Sequence, residues 1–218
     1  LLTIEDGFYV NNNQSLETLD FPQLQTMSFT FWSLEINGND SLLSIEWGSL
    51  QTIETNNNTN LIINGNNNLT EIKLNSLISS EAGLIISGQN LNLIEFNSLV
   101  NAYSGLIFSQ NPNLTSIQAP QLFSVGDYRF SGNSLNIEFN PILSSVNFSS
   151  LIKVYSGISI RNNSSLDTAT AFPCEMYVFY NDGLDCSPGD IEVNNNGNDN
   201  YCFQDLSLRE DPGLSTVP

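Results

Sequence analysis

Histidine is missing from the chain altogether, and lysine and arginine together number five in 218 residues. The first absence removes the commonest general base and metal ligand, and it excludes Ser–His and Cys–His nucleophile systems. The second stands against 23 Asp and Glu, for a net charge of −18. Such a chain has little with which to neutralise phosphate, so nucleic acid is excluded as a partner and anionic membrane surfaces are disfavoured. No apolar run approaches the roughly 18 residues that a membrane-spanning helix needs. Cysteine is scarce too: Cys174, Cys186 and Cys202 all fall in the last quarter. Three pairings are open, and one thiol is left free or bonded outside the chain. A helical period of 3.6 is nowhere sustained.

What the chain has instead is asparagine, 32 residues of it, beside 40% hydrophobic content. The strings "YVNNNQSL", "EINGNDSL", "IINGNNNL", "IISGQNL", "IFSQNPNL", "RFSGNSL" and "SIRNNSSL" share one grammar: apolar strand, polar turn, Leu. Their last strand residue falls at Val10, Ile36, Ile63, Ile86, Phe108, Phe130 and Ile160, spaced by 26, 27, 23, 22, 22 and 30. A second ladder of Ile-x-Phe-like strands is centred on Phe21, Trp47, Leu74, Phe96, Ala119 and Phe148, and its spacings track the first. Two motifs drifting together establish a repeat of 20 to 30 residues, the mark of a solenoid whose coils bury their faces on one another. A fainter third apolar set follows, as in "LVNAYSG" and "LIKVYSG". Gly83, Gly105, Gly126 and Gly157 then mark a corner, where positive φ favours glycine. The segment "IEFNPILSSV" (137–146) reads as an enlarged coil. The expected fold is all-β: a parallel β-helix or solenoid of about seven coils of 22–30 residues over 1–186, with a disulfide-stapled, Cys-containing cap and tail over 187–218.

The asparagine clusters read as coil corners, because Asn tolerates the left-handed conformation and bonds nearby backbone. Stacked from coil to coil, their side chains satisfy one another. Eight Asn-x-Ser/Thr sequons mark N-glycosylation candidates at Asn13, Asn39, Asn57, Asn68, Asn113, Asn147, Asn162 and Asn163, the last two overlapping. With the cysteines they point to an extracellular glycoprotein, secreted or on a cell surface.

"LIFSQNPNLTSIQAPQLFSVGDYRFSGN" (106–133) resembles the receptor L-domain superfamily, which includes extracellular ligand-binding domains of insulin- and EGF-type receptors and fungal GPI-anchored cell-surface proteins. The likeness covers roughly residues 8–186 and implies a right-handed β-helix. It says little about function, because related coils serve receptors, cell walls and adhesins. The chain departs from the family by entering a coil almost at once, at "FYVNNN", with no capping helix or N-terminal Cys. Its tail also lacks the apolar segment of a GPI signal.

Chemistry-bearing candidates are few. Asp20 with Glu46, or Glu95 with Glu138, are the carboxylate pairs a glycoside hydrolase would need. Against that, Asp20, Glu46, Lys73, Glu95 and Gln118 share one position of successive strands, the pattern of a solvated sheet face. Asp190, Glu192, Asn194, Asn196 and Asp199 offer oxygen ligands to Ca²⁺ but lack EF-hand spacing, so a disulfide-held loop is the plainer reading. No enzyme activity and no cofactor are expected. Ile62, Ile85 and Ile107 fall in the outward row Tyr9, Glu35, Ile62, Ile85, Ile107, Arg129 and Ser159. They form either an interaction stripe or a face covered by the inserted segment, a glycan or the tail. Two function classes follow. One is a structural surface or matrix glycoprotein that assembles with itself through the strand edges of "LLTIEDGFYV". The other is a monomeric receptor-like or adhesin module that binds a protein or glycan through the Ile face.

Overall fold

A computed structural model describes residues 2–29, 33–55, 59–127, 135–173, 176–179, 191–198 and 204–205. Cys174, Cys186 and Cys202 lie outside these residues, and the expected disulfide staple of the cap lies outside them too. Among the described residues the strands form three parallel sheets of nine, eight and six, and each strand's sheet neighbours belong to the coils before and after it. The molecule is a β-solenoid with almost no helix. About six coils carry a strand in all three sheets, close to the expected seven. The eight-stranded sheet runs from Phe8–Asn11 to Ile191–Asn194. In the seventh coil a short helix, Thr168–Ala171, replaces the strand of the six-stranded sheet. Phe172, just beyond it, meets Phe148 edge-on at 5.9 Å.

Alternation dictates the packing. In Leu34–Asn37, Leu34 and Ile36 point inward and are fully buried, while Glu35 and Asn37 are half-buried on the outer face. One coil cannot cover its own apolar row; the next coil, about 4.8 Å along the axis, does so. The inward columns Ile36–Ile63–Ile86–Phe108–Ile137–Ile160 and Ile45–Ile72–Ile94–Ile117–Val146 result. Each buried Ile contributes roughly 1.5–3 kcal/mol. Volume is conserved within a coil. Where Phe108 replaces the usual Ile, Ala119 replaces the usual large residue of the second ladder, and the Phe108 ring stacks on Phe96 at 6.3 Å.

One register expectation is corrected. Phe130 lies outside the described residues, and the inward place given to it belongs to Ile137, which pairs with Phe108. Leu135–Glu138 is the sixth strand of its sheet, and the enlargement therefore precedes it. The reason is the corner that follows. Ile137 to Leu143 has the same six-residue step as Ile36 to Leu42 and Ile63 to Leu69, and it carries Asn140 where the stacked corners need an amide. Arg129 likewise yields its outward place to Asn136, which pairs with Ile107.

The corners are held as expected, by stacked amides. Asn13, Asn39, Asn66, Gln89, Asn111, Asn140, Asn163 and Asn196 form one continuous ladder. Each backbone N–H donates to the side-chain oxygen of the next coil's member at 2.9–3.2 Å. The side-chain nitrogens of Asn39, Asn111, Asn140 and Asn163 donate both ways, as Asn140 Nδ2 does to Phe108 O and to Asn163 Oδ1. From Asn39 to Asn163 the members are buried, where an unpaired amide costs ~1–3 kcal/mol. Beside each member a residue takes positive φ: Asn12, Gly38, Gly65, Gly88, Gln110, Phe139, Asn162 and Asn195. Of the expected glycine corners, Gly105, Gly126 and Gly157 take φ of 99°, 82° and 127°. Gly83 does not; a Cβ there would meet the Asn60 side chain and, at 3.2 Å, the Ser104 carbonyl oxygen.

Candidate functional site

The eight-stranded sheet turns outward the row Tyr9, Glu35, Ile62, Ile85, Ile107, Asn136, Ser159 and Glu192. Ile62, Ile85 and Ile107 are directly paired neighbours, and all three are half-buried. Glu35 borders the stripe on one side and Asn136 on the other, with Asn136 Oδ1 buried and unpartnered among the described residues. The row beside it ends in a charge network. Arg161 bonds Glu138 at 3.2 Å and Glu192 at 3.1 Å, and Ser159 Oγ donates to Glu138 at 2.6 Å. The hydrogen bond to Glu138 leads the effects that push the Arg161 guanidinium above its ordinary value.

The six-stranded sheet displays Glu46, Lys73, Glu95, Gln118 and Asn147 in one row, directly after the inward Ile45, Ile72, Ile94, Ile117 and Val146. Lys73 donates to Glu71 at 2.6 Å, and that bond, helped by the charges of Glu71, Glu95 and Glu46, raises its ammonium pKa against the opposing effect of desolvation. Asp20 and Glu46 line one open groove of about 440 Å³ with Thr18, Leu19, Pro22, Ser44 and Gly48. Glu95 and Glu138 are not brought together: they stand on different sheets, and Glu138 is taken up by Arg161 and Ser159.

Three of the five Ca²⁺ candidates lie among the described residues, and each is engaged in a hydrogen bond. Glu192 pairs with Arg161, Asn194 donates to Glu192 at 2.9 Å, and Asn196 belongs to the amide ladder. Asp190 and Asp199 lie outside the described residues, among which no group of three or more His, Cys, Asp or Glu could hold a metal ion.

The sequons divide sharply. Asn13, Asn68 and Asn113 are exposed, Asn147 and Asn162 half-buried, and Asn57 lies outside the described residues. Asn39 and Asn163 have 0% exposure. Their Nδ2 atoms donate inside the ladder, Asn39 to Val10 O at 2.7 Å and Asn163 to Ile137 O at 2.7 Å. In the folded chain neither nitrogen has room for a sugar.

A second apolar column, not anticipated from the sequence, runs along the corner before the nine-stranded sheet. Backbone bonds stack Ile78 on Gln51, Val100 on Ile78, Phe123 on Val100 and Ile152 on Phe123, at 2.8–3.0 Å. Ile78, Phe123 and Ile152 are 47%, 40% and 37% exposed, which makes this column more open than the Ile62 stripe. The signal was the doublets Leu77-Ile78, Leu99-Val100, Leu122-Phe123 and Leu151-Ile152. In a two-residue alternation, the second member of such a doublet must face out.

No family model, no curated protein and no solved structure matches the chain. Among the described residues no helix is long and apolar enough to cross a membrane.

Proposed function

We propose that the protein is a non-enzymatic extracellular structural glycoprotein, similar in its coils to the receptor L domains, which extends itself by stacking further coils on the end formed by residues 2–29. One observation carries this. The inward residues of that end, Ile4, Phe8, Val10, Leu16, Leu19 and Phe21, are only partly buried, whereas Leu34, Ile36, Leu42, Ile45 and Trp47 one coil on are fully buried. Phe8, Phe21 and Trp47 form an aromatic series with centroids 5.5 and 5.7 Å apart. Half-buried apolar residues beside strand edges that have no outer neighbour among the described residues favour another coil laid over them. A second copy of the chain, seated head to tail, supplies one. The exposed sequons Asn13, Asn68 and Asn113 suit an extracellular setting.

Light scattering and negative-stain microscopy of the natively purified protein, with and without reductant, test the reading. Particles longer than one solenoid are expected, and deletion of residues 1–7 or the substitution Phe8→Asp should return them to single units whose circular dichroism is unchanged. A clean monomer sinks the assembling reading.

A second reading, a monomeric module binding a protein or glycan through a sheet face, draws on the Ile62–Ile85–Ile107 stripe and the Ile78–Val100–Phe123–Ile152 column. Ile85→Asp and Phe123→Asp would then weaken partner capture and leave particle mass unaltered.

A further inference from the structure

Of the residues at the positive-φ corners, Asn12, Gly38, Gly65, Gly88, Gln110, Phe139, Asn162 and Asn195, two are neither Gly nor Asn, and only Phe139 is aromatic. Gly and Asn suit the left-handed region; an aromatic residue there is an outlier, and outliers concentrate at functional sites. Phe139 takes φ 56° and is 46% exposed. The ring is braced by the Arg161 guanidinium, 5.9 Å from its centroid, and Arg161 is itself tied to Glu138 and Glu192. Phe139 borders a shallow, largely apolar depression of about 500 Å³ shared with Gln110, Pro112, Pro141 and Asn162.

Asn162 occupies the same corner one coil on, a step of about 4.8 Å, since Phe139 N donates to Arg161 O and Asn162 N to Asn194 O. Its side chain is half-engaged. Oδ1 accepts a bond from Asn195 Nδ2 at 3.2 Å, while Nδ2 has no partner among the described residues. That nitrogen is the atom an N-linked sugar occupies, and the sequence Asn162-Asn163-Ser164 is a sequon. The overlapping sequon at Asn163 has its nitrogen buried in the ladder, bonded to Ile137 O and Asn196 Oδ1.

We infer that Asn162, and not Asn163, carries the glycan of this overlapping pair, and that its first N-acetylhexosamine rings lie on the platform of Phe139, Pro112 and Pro141. A pyranose ring has an apolar face of C–H groups, which gains by leaving water for an aromatic ring. Its acetamide and hydroxyls come within reach of the Gln110 side-chain amide at the rim of the same depression. The inference rests on the extracellular-glycoprotein reading.

Peptide mapping of the natively purified protein by mass spectrometry comes first, then variants secreted from a eukaryotic cell. Ser164→Ala erases the sequon at 162 and keeps the one at 163; Ser165→Ala does the reverse. The expected result is loss of one glycan in the first variant and none in the second. Losing that glycan should lower the unfolding midpoint by roughly 2–4 °C in a chain of this size. The same substitution made in a host without N-glycosylation measures the cost of losing the Ser164 Oγ bond to Pro141 O, 3.0 Å long. In a Phe139→Ala background the glycan-dependent part of the shift should vanish. Glycans at Asn13, Asn68 or Asn113 with Asn162 bare overturn the inference and leave the glycoprotein reading standing. An Asn162 glycan whose stabilisation survives Phe139→Ala overturns the platform. A native protein with no glycan at any sequon overturns the extracellular-glycoprotein reading itself.

Discussion

At position 139 two residue-scale effects oppose each other, and their sizes decide the outcome. Relieving a left-handed backbone gains ~1–2 kcal/mol, whereas the Arg161–Phe139 contact is worth about 0.5–1 kcal/mol at an exposed site. Phe139→Asn in unglycosylated protein should therefore raise stability by roughly 0.5–1 kcal/mol, read as a higher denaturant midpoint at constant slope. A fall would show that the ring has packing partners beyond those described. At this scale the sequence was partly legible. Recurring Asn pointed to the corners because few residues combine the left-handed backbone with a bonding side chain. The overlapping sequons at Asn162 and Asn163 looked alike, because nothing local distinguishes an amide that faces the ladder from one that faces water.

The corner is the element on which the coils are built, and the fourth corner is the informative variant. Ile86 to Leu91 spans five residues where the other described corners span six, and it alone carries Gln89 in the ladder. The turn bond seen elsewhere, such as Leu69 N to Asn66 O at 3.0 Å, has no counterpart recorded at Leu91. The longer side chain compensates for the shorter backbone: Gln89 Oε1 still accepts Asn66 N at 2.9 Å, while its Nε2 turns back to Ser87 O at 2.8 Å. Gln89→Asn, conservative on paper, should thus cost about 1–2 kcal/mol by leaving the Asn66 N–H unpaired. Asn111→Ala should cost more, roughly 2–4 kcal/mol, since it strands the Gln89 N–H and removes two further buried bonds. Chemical denaturation of both variants checks the order. The sequence revealed the period and the two inward ladders because alternation and stacking act on every coil. It misassigned the sixth coil because "RFSGNSL" and "IEFNPIL" both satisfy the local grammar, and only pairing with Phe108 and Asn163 chooses between them.

Taken whole, the solenoid is close to one-dimensional, with each coil touching the coils on either side of it. Stability is then a sum of coil and interface contributions, and the coil with one neighbour among the described residues frays first. Backbone amides of residues 8–29 should exchange with deuterium at least about tenfold faster than those of residues 83–125, and material assembled as proposed should lose that difference. Equal rates in single units would mean that the first coil is covered from elsewhere. The three-sided plan was readable from composition and period. The helix Thr168–Ala171 that ends the six-stranded sheet, and the exposure of the Ile78 column, depend on what neighbouring coils leave uncovered, which no single repeat encodes.

The amide ladder also has a direction. From Asn13 onward the backbone N–H donors point towards the following coil and the side-chain oxygens that accept them face back, without reversal, through to Asn196. Asn13 Oδ1 accepts nothing among the described residues, so a coil laid over that end must bring N–H groups to it. Two such ends face to face would oppose oxygen to oxygen. The row thus works as a polarity mark along the axis: it admits growth in which every unit points the same way, and it disfavours a two-fold symmetric joint at this end.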